Sequence, residues 1–156
     1  MKLGRLILPF VAAFSVMSCS ESDDNSSGSN SQLVNEVKTL MASGNWRVSN
    51  YFDDVNETSN YQNFVFRFNP AVNSVSVTGG NITASGTFSV VDSASNDDSI
   101  SLDADFNLNF SLPAPASLIE FSDDWDILSY NNNEVNLIDV SGGNGGTDLL
   151  TFTRIP

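Results

Sequence analysis

Over Ser99–Ser111 the chain switches between apolar and polar residues at every step. Ile100, Leu102, Ala104, Phe106, Leu108 and Phe110 fall on one parity, and Ser101, Asp103, Asp105, Asn107 and Asn109 on the other. Side chains of a β-strand point alternately to opposite faces, so this pattern sets one face against a core and the other in water. A strand of that kind leaves its backbone groups unpaired unless neighbours exist. The same period of two supplies them. Trp46, Val48, Asn50 and Phe52 alternate with Arg47, Ser49 and Tyr51, and Phe64, Phe66 and Phe68 alternate with Val65 and Arg67. Val75–Thr78 and Ile82–Val91 follow, turned by Gly79-Gly80-Asn81, with Ile82, Ala84, Gly86, Phe88 and Val90 on a shared face. Trp125–Tyr130, Glu134–Val140 and Leu149–Arg154 complete the set, joined by Asn131-Asn132-Asn133 and the Gly-rich loop Ser141–Thr147. Pro113 and Pro115 interrupt the pattern ahead of a short helical turn at Ala116–Phe121. About eight short strands with short connections point to an all-β fold, an antiparallel up-and-down barrel or, alternatively, a β-sandwich. One short amphipathic helix precedes it. Leu33, Val34, Val37, Leu40 and Met41 have helical spacing within Gln32–Ser43, and Gly44 is the stop.

The amino terminus has a different character. Lys2 and Arg5 precede an apolar stretch, Leu6–Met17, of about 12 residues, too short to span a bilayer as a helix. This is the pattern of a signal peptide over residues 1–18. Its end, Val16-Met17-Ser18-Cys19, resembles the lipobox of bacterial lipoproteins, which implies cleavage before Cys19 and a lipid anchor on that residue. Ser20 stands where the inner-membrane retention signal of such proteins has aspartate, and Glu21-Ser22-Asp23-Asp24 resembles the surface-export signal of Bacteroidota lipoproteins. The resemblance implies an outer-membrane protein facing the medium. Asn25–Ser31 is almost entirely Ser, Asn and Gly and cannot bury enough apolar surface to offset its ordering entropy. Residues 19–31 therefore form a tether, and residues 32–156 form a single domain.

Composition excludes several chemistries. Cys19 is the only cysteine and there is no histidine. A thiol nucleophile, a disulfide, a Ser–His triad and the usual zinc sites are thereby removed, and an enzyme is not expected. Beyond the signal peptide the bases are Lys38, Arg47, Arg67 and Arg154, against 19 acidic residues in the chain. Nucleic-acid backbones and anionic lipid surfaces are repelled by that balance.

Clustered carboxylates raise calcium as a candidate cofactor. Asp53, Asp54 and Asn56, with Glu57, form one group, and Asp123, Asp124 and Asp126 another. Neither completes an EF-hand: counted from Asp54, Ser59 takes the glycine position and Val65 the terminal glutamate position. Gly142–Asp148 resembles one calcium-binding nonapeptide repeat, a unit that has to stack to work. Asp92-Ser93-Ala94 and Asp98-Ser99-Ile100 resemble the sequence O-glycosylated in exported Bacteroidota proteins, marking Ser93 as a surface acceptor.

Gly44-Asn45-Trp46 resembles the Gly-x-Trp signature that opens lipocalin-type barrels. Arg154, on the last strand, stands where those proteins place an arginine over that tryptophan, so Gly44, Trp46 and Arg154 are expected to close one end. The domain is similar as a whole to lipocalin-like lipoproteins of Bacteroidota. The eight-strand interior either holds one small apolar ligand or is filled by side chains; 11 phenylalanines, most on the inner parity, favour filling, with Ala84, Gly86 and Ala104 the small inward residues. The expected function is a cell-envelope lipoprotein with a non-catalytic, lipocalin-like binding domain for a small apolar molecule, a glycan or a protein. The alternative is a structural or accessory surface protein with a filled barrel, acting through protein–protein or glycan contacts.

Overall fold

In a computed structural model the chain is an eight-stranded closed antiparallel β-barrel of lipocalin-like form, preceded by one helix. The structure describes residues 26–93, 102–140 and 146–156. Helix α1 (Ser26–Ala42) is followed by β1 (Asn45–Asp53), a two-residue strand β2 (Val55–Asn56), β3 (Val65–Asn69), β4 (Ser74–Gly79), β5 (Ile82–Asp92) and β6 (Leu102–Asn109). A one-turn helix α2 (Ala116–Ile119) separates β6 from β7 (Asp124–Asn131), β8 (Glu134–Val140) and β9 (Thr147–Ile155). From β3 to β9 each strand pairs with the next, and β1 lies between β3 and β9. The β1–β9 ladder runs from Asn45 opposite Ile155 to Phe52 opposite Leu149 and turns the meander into a ring. That pairing excludes the sandwich.

Alternation explains the core. Phe66, Phe68, Val75, Val77, Phe88, Val90, Phe106, Leu108, Leu137, Leu150 and Phe152 all point inward and are buried. One strand departs from the sequence pattern. A register shift between Val48 and Asn50 adds a residue to β1, as a β-bulge does, and reverses the parity beyond it. Tyr51 is thereby turned into the core, and Phe52, expected inside with Trp46 and Val48, stands 37% exposed on the outer wall.

Helix α1 begins at Ser26, so residues 26–31, expected as tether, are its first turns. Asn30 Nδ2 donates to Asp92 Oδ1 at 2.9 Å, fixing that end to β5. Once packing holds a helix, each further residue is added at small cost, which lets a Ser/Asn/Gly-rich stretch extend it. Val34, Val37 and Met41 reach into the barrel core, making α1 the plug of one end. Phe110, Ala114, Leu118 and Phe121, from the β6–β7 connection, are buried in the same cluster and plug the other.

Both tryptophans tie a plug to the wall. The indole of Trp46 donates to Met41 O at 3.0 Å, and that of Trp125 to Phe121 O at 3.1 Å. Each bond satisfies a carbonyl that the end of a helical segment leaves without a partner.

Gly86 is set by close approach. A Cβ there would lie 2.5 Å from Asn109 O and 2.7 Å from Phe110 Cδ1, so the missing side chain is what admits the Phe110 ring. Gly86→Ala is expected to destabilise the domain by about 1–3 kcal/mol through overpacking, read as a lower urea midpoint at unchanged slope.

Candidate functional site

Three places hold the residues singled out from sequence: the barrel interior, the α1 end and the opposite rim. The interior is packed with rings. Phe68 meets Phe88 at 4.8 Å, Phe152 at 5.4 Å and Phe106 at 5.8 Å between centroids, and Phe88 meets Phe106 at 4.9 Å. Phe66 joins through Phe152 at 5.2 Å. Of the small inward residues, Ala104 is fully buried, Gly86 is backed by Phe110, and Ala84 is partly buried against the core. None of the three opens a mouth.

At the α1 end, Trp46 and Arg154 are direct cross-strand partners and share a face. The arm of Arg154 lies across Gly44, where a Cβ would sit 3.3 Å from its Cγ and Cδ. The guanidinium donates to Ser43 Oγ at 3.0 Å, and the Arg154 N–H donates to Asn133 O at 2.8 Å. The three expected closure residues are therefore brought together, with Ser43 as a fourth that the sequence pattern did not mark. Above them is a groove of about 860 Å³ between α1 and the β7–β8 turn, lined by Gln32, Glu36, Leu40, Tyr130, Asn132 and Arg154 among others. Tyr130 O–H donates to Glu36 Oε2 at 2.6 Å. This bond, followed by one from Gln32, lowers the Glu36 pKa below the usual carboxylate value.

The opposite rim carries the acidic groups. Asp53 and Asp54 are exposed, and Asp54 has φ +53°, the left-handed conformation that aspartate tolerates in tight turns. Asn56 Oδ1 accepts from the Thr58 N–H at 3.1 Å, and Asp123 Oδ1 accepts from the Asp124 N–H at 2.9 Å. These oxygens build turns. Among the described residues no three Asp, Glu, His or Cys side chains form a group able to hold a metal ion. Of Asp53, Asp54, Asn56, Asp123, Asp124 and Asp126, raised from sequence as calcium candidates, Asn56 and Asp123 engage an oxygen in a turn.

Asp139 and Asp148, the second of which ends the repeat-like Gly142–Asp148, are cross-strand partners on β8 and β9. Burial, then the charges of Asp53, Asp139 and Asp54, raise the Asp148 pKa, while burial first and Asp139 and Asp124 among the rest raise that of Asp123.

Inside this rim, Tyr51, Tyr61 and Phe121 form a cluster with centroids 4.5–5.1 Å apart. Tyr61 O–H donates to Glu120 Oε2 at 2.9 Å. Burial, reinforced by neighbouring carboxylates, keeps both phenols protonated far above their ordinary range. Tyr61 lies in a short 3-10 turn (Thr58–Tyr61), outside any period of two, which is why alternation did not select it.

Ser93 follows the end of β5 and is half-buried. Cys19 and the stretch expected as a signal peptide, the second Asp-Ser motif beyond Ser93, and most of the Gly-rich loop lie outside the described residues. No protein-family model matches the chain, and no curated protein matches it.

The raised pKa of Asp148 has a defined sign. The folded state holds the proton more readily than the unfolded chain, so stability falls as pH rises from the ordinary value of 3.8, and the penalty is complete at neutral pH. Asp148→Asn is expected to raise unfolding free energy at pH 7 by up to ~1 kcal/mol in low salt, less in high salt. The gain should disappear in urea titrations carried out below pH 3.8.

Proposed function

We propose that the chain is a lipid-anchored cell-envelope lipoprotein whose barrel is a non-catalytic binding module working through its outer surface. The observation that carries the second half is the interior: mutually packed phenylalanine rings fill it, and α1 and the β6–β7 connection plug its two ends. A small apolar ligand would have to displace several buried rings, each of which is worth a few kcal/mol to the fold. The absence of histidine and of any cysteine beyond Cys19 supports the non-catalytic reading. The lipobox-like Val16-Met17-Ser18-Cys19 and the acidic residues after it support attachment through Cys19 to the outer membrane, with the barrel toward the medium. The resemblance to lipocalin-like lipoproteins of Bacteroidota agrees with the barrel and lends its form, not its ligand.

Both halves can be tested separately. The full chain expressed with a clickable palmitate analogue is expected to incorporate label, Cys19→Ser to incorporate none, and protease added to intact cells to remove the barrel from the anchored protein. Native mass spectrometry of the purified protein is expected to show the protein mass alone. A stoichiometric small molecule retained through desalting would overturn the filled-interior reading.

A further inference from the structure

Gln32, Glu36, Leu40 and Ser43 follow one another at intervals of four, four and three residues, the spacing that stacks side chains on one face of a helix. The first three belong to α1, and Ser43 follows its last turn. All four line the groove of about 860 Å³ that this face forms with Tyr130, Asn131, Asn132 and Arg154. Among the described lining residues only Glu36 and Arg154 are charged at neutral pH. Arg154 is held at Ser43 by the 3.0 Å bond to Ser43 Oγ. Seven residues at the helical rise separate Glu36 from Ser43, so the two opposite charges stand about 10 Å apart along the groove.

Each charge is fixed in place and keeps capacity for a further partner. Glu36 accepts from Tyr130 O–H at 2.6 Å and from Gln32 Nε2 at 2.7 Å, and a carboxylate has room for about four such bonds. The Ser43 hydroxyl that receives the guanidinium donates in turn to Leu40 O at 2.6 Å. A guanidinium so placed still has N–H groups for a carboxylate, which it binds through parallel bonds. Between the charges lie Leu40 and the Tyr130 ring, both partly buried against the core, while Asn35, Thr39 and Asn132 supply amides and a hydroxyl. The Tyr130–Glu36 bond also marks one end of the groove. Beyond it is a separate cleft of about 310 Å³, lined by Gln32, Leu33, Glu36, Leu102 and Tyr130.

We infer that this groove binds a short free peptide of about three residues, with its ammonium group on Glu36 and its carboxylate on Arg154. An extended chain covers at most ~3.3–3.6 Å per residue, so three residues match the distance between the charges. A single amino acid cannot reach both ends. A plain anion would meet Arg154 but leave Glu36 opposed to it, in a chain with 19 acidic and 6 basic residues. The apolar stretch at Leu40 and Tyr130 takes a small side chain, and the amides on the border take the peptide groups. The inference rests on the reading that the barrel works through its exterior and names the face and the ligand class.

The test is a calorimetric titration of the full chain in zwitterionic nanodiscs, with empty discs subtracted. The probes are trialanine, its N-acetyl and C-amide forms, and ω-aminooctanoate, which carries the two charges without peptide groups. Trialanine is expected to bind, and acetylation, amidation, Glu36→Gln and Arg154→Met each to weaken it by about tenfold, the scale of one lost hydrogen bond to a charged group. Glu36→Gln combined with acetylation removes a single contact twice, so the pair is expected to cost no more than either change alone. The same holds for Arg154→Met with amidation. Arg67→Met, outside the groove, is expected to leave affinity unchanged. The inference is overturned by full affinity in Glu36→Gln, by additive losses in the matched pairs, by equal affinity for ω-aminooctanoate, or by no saturable heat from trialanine. Should Arg154→Met unfold the barrel, amidation and Glu36→Gln carry the test. A ligand retained inside the barrel sinks the exterior reading, whereas failure of these titrations with a filled interior sinks only the groove.

Discussion

The pairing of β1 with β9 is the constraint on which the rest of the barrel depends. A meander of eight strands has two edges, each a line of unpaired amides and carbonyls open to other chains. The ladder from Asn45–Ile155 to Phe52–Leu149 joins those edges. It also fixes where the end groups fall, because Trp46 and Arg154 meet only in that register. The same ladder contains the bulge at Val48–Asn50, so the interaction that closes the ring also turns Tyr51 in and Phe52 out.

Closure makes an interior, and its contents decide what kind of surface the protein can offer. Phenylalanines from β3, β5, β6 and β9 meet at the axis, and further apolar groups enter from α1 and from the β6–β7 connection. A barrel so packed gains burial and ring–ring contact at the expense of a cavity. What the exterior offers instead is a groove, rims and walls, which carry carboxylates and the outward apolar residues.

Strand identity was legible because alternation is a direct imprint of a half-buried sheet, as in Glu134–Val140, whose limits agree with β8. Gly44, Trp46 and Arg154, marked through resemblance, are neighbours in the structure, Arg154 opposite Trp46 and its arm against Gly44. What escaped was non-local. A single inserted residue in β1 inverts a face without altering composition, and its position depends on the partner strand. The contact that Asn30 makes from this segment is with Asp92, far along the chain. The acidic clusters were visible as runs, but charge density says nothing about convergence, and the pair Asp139–Asp148 arises only when β8 and β9 align.

The two tryptophans carry a consequence of another kind. Each is fully or almost fully buried, each donates to a backbone carbonyl, and they sit at opposite plugs of the barrel. Opening of the α1 plug exposes one indole and loosening of the β6–β7 plug exposes the other, so local openings of different free energy become separable by colour and quenching. The molecule carries an intrinsic optical reporter at each end, and replacing either one isolates the motion of the other.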